Sequence, residues 1–226
     1  MASTTAQRST VLGIIQEVHR RQSYDIPAAV TSTRTSRLML DLLNDVIAHV
    51  GDQGDWPQQY EELTVQAPAC ARTVEVNASG PVKRIVEARM SGQRAAMVLE
   101  DHAVMRQLAQ SSTRGTPRQW ALMRTSGVNP ILDLYPRVQT SGQMRVAAYV
   151  MPAVYSTANA SAVPPWSSRL LVQGLQAAVM LDEAGGESTP QVQATFQIFQ
   201  RQLGEELRRW TSDSGGPVRF TIDRAR

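Results

Sequence analysis

The chain is poor in cysteine, lysine, aromatic residues and charge, and each shortage removes a class of protein. Cys70 is its one cysteine. A single thiol closes no intrachain disulfide and anchors no zinc cluster, which excludes disulfide-stapled secreted scaffolds and metal fingers. Lys83 is the one lysine among 23 basic residues, which face 20 acidic ones, so the basic side is nearly all arginine and the formal net charge is +3. An excess that small does not announce a nucleic-acid binder. Aromatic residues make up 5% of the 226 positions, too few to interleave with arginines along a base-stacking groove. Charged residues reach 19%, below the usual ~25%, with Ser, Thr, Gln and Ala in their place. A surface built this way meets other protein as readily as water. The most apolar stretches, Leu170–Leu181 and Val146–Tyr155, carry polar interruptions and fall short of the ~20 consecutive apolar residues of a membrane span. Met1–Arg8 is polar and Val11–Ile15 is broken by Gln16 and Glu17, which gives no signal-peptide core. The expectation is a soluble protein made in a reducing cytoplasm, with no membrane partner.

What is present is clear periodicity. Val11, Ile14, Ile15 and Val18 fall on one helical face, and a second helix follows from Ser36 through Leu38, Met39, Leu42, Leu43, Val46, Ile47 and Val50 to Gly51. After Gly54 the period shortens. Leu63/Val65, Val74/Val76, Val82/Ile85/Val86 and Ala96/Val98 come in short stretches parted by Pro68, Gly80-Pro81 and Ser91-Gly92, the signature of a strand meander with a hairpin at Gly92. Asp101 is placed to cap a short helix from His102 to Gln110. Further strands are expected at Trp120–Arg124, Ile131–Tyr135 and Met144–Met151, then a return connection over Pro152–Pro165. Helical signals resume at Pro164-Pro165-Trp166, where proline suits the first turn, with Leu170 to Leu181 stopping at Gly185-Gly186, and again from Val192 through Phe196, Phe199, Leu203 and Leu207 to Trp210. Val218-Arg219-Phe220-Thr221-Ile222 alternates like a strand with no neighbour to pair with.

Two helical pairs at opposite ends of the chain each carry an apolar stripe that neither buries alone, so the expected fold is α+β: a four-helix bundle made by the N- and C-terminal pairs, with a β-rich domain inserted. The boundaries are 1–55 with 163–211 for the bundle, 56–162 for the β-rich domain and 212–226 for an extended C-terminal tail.

Candidate chemistry is sparse. His19, His49 and His102 sit on separate elements without a metal-ligand partner at useful spacing, and their reading is structural or surface. Cys70 lies in a turn-like segment with no activating pattern. Gly115-Thr116-Pro117-Arg118-Gln119-Trp120 lacks the Gly-Lys-Ser/Thr end of a phosphate loop. Asp41 with Asp45, Glu61-Glu62 and Asp182-Glu183 are acidic pairs of the sort ordinary surfaces hold. No catalytic, cofactor-binding or metal-ligating residue is therefore assigned, and no cofactor is expected. Arg34, Arg37, Arg84, Arg89, Arg94, Arg106, Arg114, Arg118, Arg124 and Arg137 are scattered rather than clustered, which suits protein contacts, since the planar guanidinium pairs with carboxylates and carbonyls across interfaces.

The assembled pieces resemble a family. Trp56-Pro57 and the strand Glu62-Leu63-Thr64-Val65, then Gly115-Thr116-Pro117 with Trp120-Ala121, then Ile131-Leu132-Asp133-Leu134-Tyr135-Pro136, look like the head-to-tail adaptor (connector) proteins of tailed bacteriophages, the short-tailed ones in particular. The helical segments around Leu170-Leu171-Val172 and Phe196, Phe199 and Leu203 match in order, from about Ser36 to Trp210. The resemblance implies a structural virion protein and no enzyme. It implies a homo-oligomeric ring of about twelve copies, between the capsid portal protein and the tail nozzle or tail tube protein at the head–tail interface of the virion, with genome DNA passing unbound through the lumen. Gly115, Thr116, Pro117, Trp120, Tyr135 and Pro136 are the motif residues, and the tail Val218, Arg219, Phe220, Thr221 and Ile222 is expected to touch the portal or a neighbouring copy as an added strand. Two rivals come from other classes: a stand-alone nucleic-acid binder using Arg84–Arg94 and Arg118–Arg124, and a hydrolase using Asp101 and His102, which no spacing supports.

Overall fold

A computed structural model describes residues 8–123 and 129–213. In chain order it holds α1 (Val11–Arg21), α2 (Arg34–Asp52), β1 (Tyr60–Ala67), β2 (Thr73–Glu75), β3 (Val82–Met90), β4 (Val98–Leu99) and α3 (His102–Leu108). There follow β5 (Arg114–Gly115), β6 (Gln119–Met123), β7 (Ile131–Tyr135), β8 (Arg137–Val138), β9 (Gly142–Val150), α4 (Ser168–Glu183) and α5 (Pro190–Asp213). The chain divides into two compact units, residues 1–58 with 154–226, and residues 59–153.

In the first unit the helices start where side chains can satisfy free amides of the first turn. Thr10 accepts from the Gly13 amide at 3.1 Å, Thr33 from Ser36 at 3.0 Å, and Ser167 from Leu170 at 3.4 Å. At α5 the Thr189 hydroxyl takes the Val192 amide at 3.3 Å, and Pro190 occupies the first helical position, where no amide is needed. The amides of Val11 and Leu12 are met instead by the carbonyls of Ala162 and Ala160, at 2.9 and 3.0 Å. Asn44 on α2 exchanges two hydrogen bonds with the backbone of Tyr155, each 2.9 Å. Residues 154–162, expected to belong with the strands, are thereby held to the helices.

α4 is the centre of this unit. Leu170, Leu171, Val172, Leu175, Ala177 and Val179 bury most of its circumference, and it packs against α1, α2 and α5. Trp56 and Trp166 meet edge to face at 6.1 Å within the same core. The expected four-helix bundle is therefore corrected. A bundle places four helices as equals, each showing one stripe inward; here α4 buries a broad face, leaving Arg169, Gln173 and Gln176 on its polar side, and the other three helices gather on that face.

The second unit replaces the expected meander. Among the described residues its nine strands form three sheets, ordered β1-β9-β3, β2-β7-β6-β4 and β5-β8, and α3 is a fifth helix among them. The first sheet is antiparallel around β9, whose Met144, Val146, Ala148 and Val150 alternate inward as their spacing predicts. In the second, β6 and β7 pair antiparallel while β4 joins β6 in parallel. Gly92 does reverse the chain, with φ +87° and the Gln93 amide on the Met90 carbonyl at 3.1 Å. Beyond that turn the Met97 amide still donates to the Ala88 carbonyl of β3 at 2.9 Å, but β4 then pairs with β6, so the expected hairpin does not extend into a ladder. A four-helix bundle carrying an inserted β-rich domain is thus not shown, while the coarser description, α+β, fits. The expected extended tail lies almost wholly outside the described residues, which stop at Asp213.

Candidate functional site

The motif residues come together in the second unit. Gly115 is in β5, which pairs in parallel with β8 through Arg114 with Arg137 and Gly115 with Val138. Pro117 is buried before β6, and Trp120, 3% exposed, anchors β6 in the core. Tyr135 ends β7 and joins Pro136 through a cis peptide bond. The Arg118 amide donates to the Tyr135 carbonyl at 2.9 Å and the Gln139 amide to the Gly115 carbonyl at 3.0 Å. A Cβ on Gly115 would sit 3.5 Å from Pro136 Cγ, in ordinary contact. Gly115-Thr116-Pro117 and Tyr135-Pro136 thus flank one seam, and Thr116 is its exposed member.

A third strand of chain closes the seam. The Cys70 amide donates to the Val138 carbonyl at 2.7 Å, and the Val138 amide to the Ala71 carbonyl at 2.9 Å. Arg72 then reaches β7, its Nε and terminal nitrogen donating to the two carboxylate oxygens of Asp133 at 2.8 and 2.9 Å. Asp133 is buried. The planar fork matches the carboxylate, and that hydrogen bond holds the guanidinium pKa above its ordinary value despite burial. Sequence reading gave this pair no role, because its members lie 61 positions apart.

The first unit carries a different feature, an open groove of about 680 Å³ between α2, α4 and α5. Its floor is Gly174, Ala177 and Phe199; Leu181, Val192 and Phe196 line the walls; Asp45 and His49 of α2 stand along one side. Phe199 is 3% exposed and Phe196 48% exposed, their rings 6.1 Å apart. The helical stripe through Phe196 and Phe199 was legible, and its reading was core. The signal for a groove was the pair of small residues on α4, Ala177 and Ala178, where larger side chains would fill the space.

The remaining candidates are occupied by structural work. Asp101 caps α3, accepting the Ala103 amide at 2.7 Å, with His102 exposed beside it. His19 is buried, with Nε2 3.5 Å from the Ser36 hydroxyl. Cys70 is exposed with φ +65°. Arg84 lies over the Tyr149 ring at 5.5 Å, a cation–π geometry, and Arg89 faces Glu87 at 3.8 Å. Arg124 and Val218–Ile222 lie outside the described residues. Among the described residues no group of three or more His, Cys, Asp or Glu could hold a metal ion, and no helix is long and apolar enough to cross a membrane. The arrangement offers a rigid seam and an apolar groove with one acidic edge, chemistry suited to holding other polypeptide. No protein-family model matches the sequence, and no curated protein matches it.

Proposed function

We propose that the chain is a structural subunit of a tailed-phage head-to-tail adaptor, a ring of about twelve copies between capsid portal and tail nozzle with the genome passing through its lumen. One observation supports the reading most directly: the Gly115-Thr116-Pro117 and Tyr135-Pro136 steps that carry the resemblance share backbone hydrogen bonds along one seam. Short motifs that belong to one structural element have to meet in space. The low-charge surface and scattered arginines suit copy-to-copy contacts, in which small residues allow close approach and arginine supplies paired charge. Such a subunit works by shape and adhesion and performs no catalysis. A lumen that lets duplex DNA slide cannot be strongly basic, because phosphate contacts accumulate, and a net charge of +3 is compatible with that demand.

Negative-stain imaging of the purified chain, alone and mixed with its portal protein, tests the reading. Closed rings are the expected result in at least the mixed sample. Monomers in both samples, at concentrations where portal rings are intact, would count decisively against it.

A further inference from the structure

We infer that the groove between α2, α4 and α5 seats the C-terminal segment Val218–Ile222 of a neighbouring copy, so that each subunit grips the next. The inference rests on the ring reading and names the contact that would build the ring.

The groove is apolar at its floor and walls and acidic at one side. Ala177 and Ala178 keep that side of the groove low, and Phe196 stands half exposed beside buried Phe199. Asp45, exposed on α2, has no ion-pair partner among the described residues. The segment Val218-Arg219-Phe220-Thr221-Ile222 carries the complementary pattern. In an extended chain Val218, Phe220 and Ile222 point to one side, and Arg219 and Thr221 to the other. The four steps from Val218 to Ile222 span ~13 Å at ~3.3 Å per residue. Along α5 the groove runs from Val192 to Phe199, ~10 Å at 1.5 Å per residue. The lengths agree, and Arg219 supplies the cation that Asp45 lacks.

Reach decides whose segment it is. Phe199 lies ~21 Å up the helix from Asp213, and Val192 ~32 Å. A chain leaving Asp213 must reverse to run back along its own helix, and Gly215-Gly216-Pro217 has the residues of such a turn. From Pro217 the extended chain covers at most ~18 Å to Ile222. The subunit's own Val218, Phe220 and Ile222 therefore stop short of Phe196, whereas a neighbour's segment has no such limit. Groove and segment are different patches of the same chain, so the contact is heterologous and propagates head to tail until it closes.

The test uses the full-length chain. Association measured by mass photometry across a concentration series is expected to weaken at least tenfold in Asp45→Arg, and equally in Arg219→Asp and in Phe220→Asp. The double variant Asp45→Arg with Arg219→Asp is expected to recover wild-type association to within threefold. Thermal unfolding matching wild type shows that each variant is folded, and the two segment variants lie beyond the described helices. In a Cys70→Ser background, Phe196→Cys on one tagged copy and Phe220→Cys on another are expected to cross-link between copies. Rings that form equally well with Asp45→Arg, failure of the charge swap to recover association, or a cross-link confined to single chains carrying both cysteines would each overturn the contact and leave the ring reading standing. A charge-swappable contact between copies that never closes into rings, alone or with portal, would instead overturn the ring reading and leave the contact in place.

Discussion

Trp56 and Trp166 touch each other in one core, yet their indole N–H groups have different fates. Trp56 Nε1 donates to the Val50 carbonyl at 2.8 Å at the end of α2, while Trp166 Nε1 is buried without a hydrogen-bond partner among the described residues. A net hydrogen bond contributes about 1 kcal/mol, and an unsatisfied buried donor costs about 1–3 kcal/mol. Trp56→Phe is therefore expected to lower the unfolding free energy by about 1–3 kcal/mol more than Trp166→Phe, read from urea titrations of the two variants. Glu206 gives a pH-dependent case. Burial raises its carboxyl pKa, against the opposing pull of the Ser167 hydroxyl and Arg209. The folded state then keeps its proton to higher pH than the unfolded state does, so stability falls as pH rises from the ordinary glutamate range through the folded pKa, and the loss persists above it. Glu206→Gln, which can still accept from Ser167, is expected to raise the melting temperature near pH 7 and leave it unchanged near pH 4, measured by calorimetry across that range. Neither tryptophan's partner was legible in sequence, and the same holds for Arg72 with Asp133. Composition says that such groups exist; only the fold says which of them meet.

At the scale of elements, helices were legible and strand partners were not. A helix is made by local hydrogen bonds, so its stripe and its capping residue are written within one stretch of chain, as with Asp101 before His102, although α4 starts at Ser168 behind Ser167, past the expected Pro164-Pro165-Trp166 start. Strand positions were also readable, β9 most clearly, but β9 lies between β1 and β3, elements tens of residues earlier. The parallel pairing of β4 with β6 has no local signal, since the Gly92 turn looks the same whichever strand accepts the chain. Gly174 shows how packing overrides local preference. Alanine there would improve helix propensity by about 1 kcal/mol. Its Cβ would lie 2.6 Å from Val46 Cγ1 and 2.8 Å from a Phe199 ring carbon. Both neighbours are stiff, and overpacking of this kind costs typically 1–3 kcal/mol. Gly174→Ala is expected to lose up to about 2 kcal/mol net in denaturant unfolding, the reverse of its effect on an isolated helix.

At the scale of the whole molecule, the proposed role makes a demand on DNA binding. Arginines committed to Asp133, Tyr149 and Glu87 are not gathered into a phosphate-tracking surface. Titration of a labelled duplex by fluorescence anisotropy is expected to give weak binding, with a salt slope corresponding to about one or two phosphate contacts. A steep slope, like that of proteins making roughly 6–10 such contacts, would favour the rival nucleic-acid reading.

Composition and periodicity settled what is local or additive: the α+β class, the existence of the helices, the positions of most strands, and the absence of any disulfide or zinc framework built on one cysteine. These follow from nearest-neighbour geometry and from counting. Tertiary structure decided the rest. It made α4 the centre where a bundle of equals was expected, joined Arg72 to Asp133, brought the Gly115 and Tyr135 segments to one seam, packed Val46 and Phe199 onto Gly174, and left Phe196 at the open edge of a groove. Each of these depends on which distant surfaces find each other, and a packed interior sets that by shape and volume summed over many side chains rather than by any one stretch of sequence.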